Sequence, residues 1–529
     1  MMLDWQCPYP SNRSPIFAKN IVSTSQPLAT ESGISALRAG GNAVDAAIAT
    51  AITLTVVEPN NNGIGSDAFA IIWDGNKLHG LNASGKSPEA WHPERFKKHD
   101  AMPQLGWDAV TVPGAVSAWV EMSEKFGVLP FEDLFSTAIH YAEKGFLVGP
   151  KTGYYWQYAE KRFHHPEFSS FRETFLPNGK APPIGSLICL PDHATSLMKI
   201  AESKGESFYQ GELAEAMVRE SDQSGGVLSL DDLGLHRADW VDTLSQNLGA
   251  AALHEIPPNG QGLLALIAVG IVERFDLQQY PLDSVDAFHI SIEATRLAFA
   301  IVERELADIQ SMKIRPEDLI SNDYLDRCAS SIDQKAAKLL PTAIGTSEDT
   351  VYLSCADESG MMVSMIQSNY RGFGSGIVVP GTGISLQNRG NGFSLEKGHP
   401  NEVAGGKRPY HTIIPGFAMQ NNRPAMSFGV MGGHMQAQGH LQMMIRVFLH
   451  QQNPQAASDA PRWYLQEDGI LCLEKGFQPS VIQGLLDRGH QIKHDNPEHI
   501  FGGAQLICRL EDGYVAGSDH RKEGLASGF

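Results

Sequence analysis

The change of pattern at Thr350 is the feature that most constrains the fold of this chain. Before this residue the chain carries mostly helical patterns rich in Ala, Leu and Ile, and after it short strand-like runs follow one another. The run that begins at Thr350 alternates, with Val351, Leu353 and Cys355 on one face, and it ends at the turn-forming Asp357-Glu358-Ser359-Gly360. A period of two is typical of a strand and a period of 3.6 is typical of a helix. Groups of strands flanked by helices on both sides predict an α+β fold, a four-layer αββα sandwich.

Periodicity and turn-forming residues set the boundaries of the predicted elements. Helices are predicted over residues 26–57, 114–145, 192–203, 210–220, 261–275, 284–308 and 435–451. Strands are predicted over residues 68–73, 351–356, 361–367, 376–379, 411–418, 425–429, 470–474 and 504–509. The run 46–57 is apolar but too short for a membrane span, and it indicates a buried helix.

Residues 309–349, directly before Thr350, are polar and show no periodicity. Their tail, 341–349, has little apolar surface to bury, so it is expected to be flexible and solvated. A peptide bond between Asp349 and Thr350 would be accessible there, and a new chain end could move away after a break. An ordinary surface linker has the same composition, so the pattern alone leaves both interpretations open.

A break before Thr350 would turn this residue into an N-terminal nucleophile with its own base. A hydroxyl is a poor nucleophile until a base takes its proton. A free α-amine has a pKa near 8 and would lie beside the hydroxyl of the same residue. The alternative is an ordinary β-branched residue at the start of a strand.

The pair Gly432-Gly433 lies in a loop between a predicted strand and a predicted helix. Glycines let a ligand approach the backbone closely, because they have no Cβ. Their N–H groups could stabilise the oxyanion that forms when an amide is attacked. A tight turn before the helix would explain the same pair.

Charge and composition exclude some partners. The chain has 41 Lys and Arg against 60 Asp and Glu, a formal net charge of −19, and it has no Lys/Arg run. Nucleic acid and anionic membranes are therefore not expected as partners. No GxGxxG or GxxxxGKS motif is present, so no nucleotide and no other cofactor is expected.

The N-terminus and the cysteines suggest a cytoplasmic protein. The first residues, Met1-Met2-Leu3-Asp4-Trp5-Gln6-Cys7-Pro8, lack the basic and apolar regions of a signal peptide. Six scattered cysteines without a CxxC motif are expected to be buried free thiols in a reducing compartment.

Several longer motifs follow one another in a characteristic order. They are Leu28-Ala29-Thr30-Glu31-Ser32-Gly33, the stretch 37–47, the stretch 57–65, Thr111-Val112-Pro113-Gly114, Pro257-Pro258-Asn259-Gly260-Gln261-Gly262, His289-Ile290-Ser291-Ile292-Glu293-Ala294, Phe373-Gly374-Ser375-Gly376, Lys407-Arg408-Pro409, Gly432-Gly433 and Ser518-Asp519-His520-Arg521. In these motifs, from about residue 20 to its end, the chain resembles the γ-glutamyltranspeptidase family of N-terminal-nucleophile hydrolases, and in particular its oxamate amidohydrolase and acylase-like branch.

The resemblance implies a proenzyme that cuts itself between Asp349 and Thr350. Residues 1–349 would form a large subunit and residues 350–529 a small catalytic subunit, and both would share one αββα fold. Thr350 would be the nucleophile, with its α-amine as the base, and Gly432 and Gly433 would form the oxyanion hole. Ser368 falls where the family carries a second hydroxyl that orients the nucleophile.

The departures from the family concern the substrate head group. Family members that act on γ-glutamyl compounds hold the α-carboxylate and α-amine with an arginine, an Asn or Glu, an aspartate and two serines. The corresponding positions carry, in that order, Ser84, Tyr370, Gly392, His411 and Thr412. A site without those partners should reject a zwitterionic head group, because a buried unpaired charge costs several kcal/mol, roughly 2–7 for a polar group and more for an ion.

The candidate substrate-binding residues are therefore Ser84, Tyr370, Arg371, Arg389, His411, Thr412 and His434. They suit a small acid amide such as oxamate, or another acyl amide. His411 and His434 are not expected to bind a metal, because no HExxH motif and no carboxylate cluster accompanies them.

Three functions remain open from the sequence. The first is a self-processing amidohydrolase that cleaves a small amide through an acyl-enzyme. The second is a γ-glutamyl hydrolase or transferase acting on glutathione, and the third is a non-catalytic family member that acts as a binding protein. The expected partners are a small-molecule amide and the chain's own two cleaved parts, with a homo-oligomer of such heterodimers as a possibility.

Overall fold

The computed structural model describes residues 12–336, 350–466 and 468–529. The strands are β1 (Ile16–Ala18), β2 (Ile21–Thr24), β3 (Asp67–Trp73), β4 (Leu78–Ala83), β5 (Phe146–Leu147), β6 (Leu187–Ile188), β7 (Asp239–Val241), β8 (Leu244–Leu248), β9 (Ala251–Glu255), β10 (Val351–Ala356), β11 (Met362–Ser368), β12 (Gly416–Gln420), β13 (Arg423–Met431), β14 (Trp463–Leu465), β15 (Leu471–Leu473), β16 (Ile492–Lys493), β17 (Gly503–Arg509), β18 (Tyr514–Ser518) and β19 (Leu525–Gly528).

The α-helices are α1 (Pro27–Arg38), α2 (Ala43–Val57), α3 (Pro93–Phe96), α4 (Ala115–Phe126), α5 (Ser136–Lys144), α6 (Pro150–Arg162), α7 (Ser169–Phe175), α8 (Pro191–Glu202), α9 (Glu206–Tyr209), α10 (Glu212–Gln223), α11 (Leu230–Gly234), α12 (Gly262–Glu273), α13 (Val285–Glu305), α14 (Pro316–Leu319), α15 (Asn322–Ala329), α16 (Met435–Met444), α17 (Pro454–Asp459) and α18 (Pro479–Asp487). Short 3₁₀ turns lie at Trp107–Ala109, Phe131–Phe135, Pro166–Phe168, Pro177–Gly179, Leu277–Gln279, Arg389–Gly392 and Glu498–Phe501, and a π turn at Ile445–Leu449 extends α16.

Two antiparallel sheets of seven strands each form the centre of the molecule. The first sheet has the order β19-β2-β10-β11-β3-β4-β7, and the second has the order β1-β18-β17-β13-β12-β9-β8. Each sheet contains strands from both sides of position 350. The chain before Thr350 and the chain after it therefore build one fold together.

The alternation of side chains along β3 shows how the layers are arranged. Phe69 and Ile71 point into a core between the two sheets, whereas Ala70 and Ile72 pack with α1, α2 and neighbouring helices on the outer side. A second outer core joins the other sheet to α12, α13 and α16. Fully burying one such large side chain contributes about 1.5–3 kcal/mol. These three cores separate four layers, and the αββα sandwich expected from the sequence is confirmed.

The helix predicted over 26–57 is in fact two helices, and the local sequence explains the break. Gly40 has a φ of +93°, a conformation that favours glycine, and it ends the first helix. Asn42 then caps α2 and accepts from the N–H groups of Val44 and Asp45, while the Asp45 carboxylate accepts from the Asn42 N–H. Every residue of α2 is buried, as expected from its apolar composition.

Other boundaries also differ from the sequence prediction. The helix expected over 114–145 is divided into α4 and α5, and the segment 309–349 contains α14 and α15. Residues 376–379 form no strand but only a bridge between Val378 and Ser385, and the strand expected from 411 begins at Gly416. Strands β8 and β9 were not predicted, and β8 forms the solvated edge of the second sheet, where it carries mixed polar residues. The tail 337–349 lies outside the described residues.

The cysteines correct one further expectation. Cys355 and Cys472 are buried, but Cys189 is exposed and Cys328 is only half-buried. Separately, no helix among the described residues is both long and apolar enough to cross a membrane.

Candidate active site

Thr350 lies directly before β10 at one end of the first sheet, and its side chain is buried. Val351 pairs with Gln367 of β11, so the next step along both strands brings Thr350 opposite Ser368. The Thr350 hydroxyl donates a hydrogen bond to Ser368 Oγ at 3.3 Å, and Ser368 Oγ accepts another from the Tyr370 N–H at 2.8 Å. The two hydroxyl residues that the sequence singled out are therefore in contact.

Strand β13 of the second sheet faces β10 across the central core. The hydroxyl groups of Ser354 and Ser427 form a hydrogen bond between the two sheets. Gly429 packs against the Tyr352 ring, and a Cβ at Gly429 would lie 2.4 Å from that ring. Following both strands in this direction leads to Thr350 on one side and to the glycine pair on the other.

The glycine pair has the backbone conformation that only glycine adopts readily. Gly432 has a φ of +114° and Gly433 a φ of +55°. Within residues 12–336, 350–466 and 468–529, neither N–H group donates to another group. These N–H groups can therefore donate hydrogen bonds to a negatively charged oxygen without breaking an existing hydrogen bond between described residues.

Gln261 fixes the loop that carries the glycine pair. Its side-chain amide donates to the carbonyl oxygen of Gly433 at 2.9 Å and to that of Thr412. The Tyr410 hydroxyl donates to Gln261 Oε1 at 3.0 Å. The loop after β13 and the segment 410–412 are thus held together by one buried side chain.

Arg389 is the buried cation of the site. Its guanidinium carbon lies 4.3 Å from the centre of the Tyr370 ring, and its Nη1 donates to Thr412 Oγ1 at 2.8 Å. Tyr370 has a φ of +77°, which is uncommon for a residue with a side chain. Such strained residues cluster at functional sites, and here the strain places the ring under the guanidinium.

Arg371 and His434 lie around the same cation. The Arg371 guanidinium carbon is 5.5 Å from the centre of the Tyr370 ring. The His434 ring stacks on Tyr410 at a centroid distance of 5.9 Å and its Nδ1 is 3.4 Å from the Tyr410 hydroxyl. Burial, together with the nearby Arg371 and Arg389, lowers the pKa of His434 to about 4. His434 is therefore a neutral imidazole in a positively charged neighbourhood.

Asp67 is a site residue that the sequence analysis missed. It lies at the start of β3, paired in register with Ser368. His411 Nε2 is 3.0 Å from Asp67 Oδ2, while Asp67 Oδ1 accepts from the N–H groups of Gly85 and Gly114. A carboxylate beside an otherwise apolar strand is a signal that could have identified it, because a buried charge needs partners.

The pair formed by Asp67 and His411 is completely buried, and burial dominates its protonation. Burial raises the pKa of Asp67 to about 7, although the nearby Arg389 lowers it. Burial also lowers the pKa of His411 well below its ordinary value, and Arg389 and Arg408 add to this. His411 is neutral near pH 7, and its Nδ1 has no hydrogen-bond partner among the described residues.

Ser84 lies in a polar layer next to this pair. Its hydroxyl is 2.7 Å from Asn82 Oδ1 and 3.2 Å from Asn259 Oδ1. The Asn259 carbonyl oxygen accepts from the His411 N–H at 3.0 Å. Ser84 therefore neighbours His411, and its role in binding a substrate stays a prediction.

Gly392 shows why an acidic residue is absent at its position. A Cβ at Gly392 would lie 2.4 Å from the Tyr410 carbonyl oxygen. Any larger residue would push apart the turn that carries Arg389 and the segment that carries His411. Asp349, the other half of the predicted cleavage site, lies outside the described residues.

One group of described residues could hold a metal ion, and it lies elsewhere. His289 and Glu293 of α13 and His490 bring ligand atoms within 4.8 Å of one another. The two imidazoles are already hydrogen-bonded to each other at 2.8 Å, and Arg296 donates to the Glu293 carboxylate at 3.1 Å. These contacts account for the group without an ion.

Comparisons with known proteins agree with this geometry. The profile of the gamma-glutamyltranspeptidase family matches residues 29–529. An oxamate amidohydrolase proenzyme from Klebsiella pneumoniae is 35% identical over 95% of this chain and 97% of its own length. A glutathione hydrolase-like proenzyme, YwrD, from Bacillus subtilis is 32% identical over 98% of this chain and 100% of its own length.

A solved structure shows the same fold over the whole chain. The crystal structure of a cephalosporin acylase from Bacillus halodurans superposes with a TM-score of 0.96 and 45% identity, and the match covers 100% of this chain and 99% of that one. The family profile, the relatives and the αββα architecture thus give one answer: the chain belongs to the gamma-glutamyltranspeptidase family and is an amidohydrolase.

Proposed function

We propose that this chain is a self-processing amidohydrolase in which Thr350, freed as an N-terminal residue, cleaves a small amide through an acyl-enzyme. The observation that carries the proposal is the buried hydrogen bond between the hydroxyl groups of Thr350 and Ser368 at the start of β10. Relatives of similar length that carry the word proenzyme in their names support it.

Processing supplies the base that catalysis needs. In the uncut chain the nitrogen of Thr350 is an amide, which takes up no proton. Thr350 Oγ attacks the carbonyl carbon of Asp349, the C–N bond breaks, and the acyl group moves from nitrogen to oxygen as an ester. Water then hydrolyses the ester, which leaves a carboxylate on Asp349 and a free α-amine on Thr350.

The same hydroxyl then attacks the substrate. The α-amine accepts the proton of Oγ as the oxygen attacks the amide carbonyl carbon, and the N–H groups of Gly432 and Gly433 donate hydrogen bonds to the oxyanion. Loss of one such donor typically slows catalysis about 10²–10³-fold. The protonated amine then donates this proton to the leaving nitrogen. Water hydrolyses the resulting ester and releases the acid.

The substrate we propose is an oxamate-like amide or another acyl amide. Arg389 and Arg371 make the site positively charged, and Arg389 is buried, so its guanidinium would interact strongly with an anionic acyl group in a low dielectric. Relatives named oxamate amidohydrolase and acylase are similar over nearly the whole chain.

We expect the purified protein to consist of two chains of roughly 38 and 20 kDa, the 57.6 kDa total divided in proportion to 349 and 180 residues. Denaturing gels and N-terminal sequencing check this, and the smaller chain should begin Thr-Val-Tyr-Leu-Ser. A preparation that turns over amides while remaining one uncut chain would contradict the proposal.

A γ-glutamyl hydrolase or transferase is the second candidate, because one similar relative is named glutathione hydrolase-like. We expect glutathione and γ-glutamyl-p-nitroanilide to be cleaved far more slowly than oxamate, since Gly392 and Ser84 cannot form ion pairs with an amine and a carboxylate. Comparable kcat/KM values for glutathione and oxamate would favour the second candidate. Turnover of either substrate would exclude a purely binding role.

A further inference from the structure

The buried pair Asp67–His411 is not used by the nucleophile, the base or the oxyanion site. It nevertheless lies next to Ser368, which contacts the nucleophile, because Asp67 is the register partner of Ser368 and adjacent strands are about 4.8 Å apart. The His411 ring packs edge-on against Phe69 at 4.9 Å, which fixes its plane. Thr412, the next residue, holds the buried Arg389.

We propose that His411 is a specificity-determining residue that hydrogen-bonds an acceptor group of the acyl part of the substrate through Nδ1, and that Asp67 is the positioning residue that decides whether Nδ1 carries a proton. This inference rests on the proposed function. The substrate class is then amides whose acyl part carries a carboxylate.

The number of protons on the pair determines what Nδ1 offers. With the carboxyl group protonated, its O–H donates to Nε2 and the ring proton lies on Nδ1. If the proton moves across to make an ion pair, Nδ1 still carries a proton. When the pair loses one proton, the carboxylate accepts from Nε2–H, and Nδ1 has only a lone pair. Nδ1 is therefore a donor in the protonated pair and an acceptor in the deprotonated pair.

The surroundings place this change close to neutral pH. Asp67 and His411 are both fully buried, and the charged or titratable groups that act on them are Arg389, Arg408 and the buried phenol of Tyr209. Burial raises the pKa of the Asp67 carboxyl group to about 7. A substrate carboxylate needs a donor, so its binding should require the protonated pair and should weaken as the pH rises above about 7.

Oxamate and oxamide form a matched pair of substrates for the test, since oxamate carries a carboxylate where oxamide carries a neutral carboxamide. Ammonia release gives KM for both between pH 6 and pH 9, and the ratio of the two KM values cancels titration of the Thr350 amine. For the wild type we expect the oxamate/oxamide KM ratio to rise toward tenfold per pH unit above about 7, as one linked proton requires.

Asp67→Asn should fix the donor form. Oδ1 already accepts two backbone N–H groups, from Gly85 and Gly114, so the new amide nitrogen must face His411 and donate to Nε2. Nδ1 then carries the proton at every pH. The KM ratio should be independent of pH, and at pH 8.5 it should lie about tenfold or more below the wild-type value.

His411→Phe should have the opposite effect on the size of the oxamate/oxamide KM ratio. It keeps the ring against Phe69 but removes Nδ1, so the KM ratio should also be independent of pH but high throughout. A purely structural defect would not improve oxamate binding at high pH in Asp67→Asn while it abolishes the pH dependence of the KM ratio in His411→Phe. Cleavage into two chains reports folding for each variant, and if His411→Phe fails to fold, the gain in Asp67→Asn alone decides.

The outcomes separate the two proposals. If Asp67→Asn keeps the pH dependence of the wild type, or shows no gain at pH 8.5, the role of the pair is wrong while the amidohydrolase remains. If the wild-type protein is not cut and turns over neither amide, the proposed function fails and this inference fails with it.

Discussion

Replacing Thr350 by alanine is expected to abolish both chain cleavage and amide turnover. The alanine variant keeps the α-amine position but has no hydroxyl, so neither the acyl shift nor the attack on substrate can begin. Loss of the nucleophile lowers kcat by on the order of 10⁶-fold in a hydrolase that forms an acyl-enzyme. The check is a gel that shows a single uncut chain, together with ammonia release from oxamate at the level of the blank.

Thr350→Ser is the matched control for this experiment. It preserves the hydroxyl and, after cleavage, the amine, so a measurable fraction of both processing and turnover should remain. The side chain is buried against Ser368 and loses only a methyl group, so the fold should tolerate the change. If Thr350→Ala is still cut at the same bond, a separate protease makes the cut and self-processing is wrong.

The four-layer fold was predictable because its strongest signals are local. The buried helix α2 and the strands β3, β10 and β11 carry unbroken apolar or alternating patterns, and the structure places them where the patterns indicate. Two glycines, at 40 and 41, divide the helix that periodicity alone predicts over residues 26–57. Edge strands such as β8 were missed, since their polar residues give no pattern of two.

Most of the candidate site was predictable only through resemblance, and Asp67 was not predicted at all. Contacts such as that between Asp67 and His411 join residues 344 positions apart, and no local pattern carries information about them. The contact between Thr350 and Ser368 is easier to predict, since the hairpin of β10 and β11 brings its two ends together. Positions that differ from the family, such as Gly392, gave useful clues to the substrate. In the structure, a Cβ at Gly392 would clash with the Tyr410 carbonyl oxygen.

Arg389→Ala is expected to lower kcat/KM for oxamate about 10²-fold or more, and to leave oxamide far less affected. Truncating one partner of a buried, hydrogen-bonded charge pair costs about 2–5 kcal/mol, because the remaining charge is left in a low dielectric. In the complex, Arg389 is the truncated partner and the substrate carboxylate is the charge that remains. A neutral carboxamide gains only ordinary hydrogen bonds from the guanidinium, so its loss is smaller.

Two further variants make the comparison specific. Arg389→Lys keeps a positive charge but cannot reproduce a planar guanidinium stacked 4.3 Å from the Tyr370 ring, so an intermediate loss for oxamate is expected. Arg315→Ala removes an arginine that is paired with Asp318 on the surface, and it should change neither substrate's kinetics. Equal losses for oxamate and oxamide in Arg389→Ala would mean that Arg389 supports the site through Tyr370 and Thr412 rather than through the substrate's charge. The carboxylate would then have to be held by another cation, and Arg371, whose guanidinium carbon lies 5.5 Å from the centre of the same ring, is the candidate.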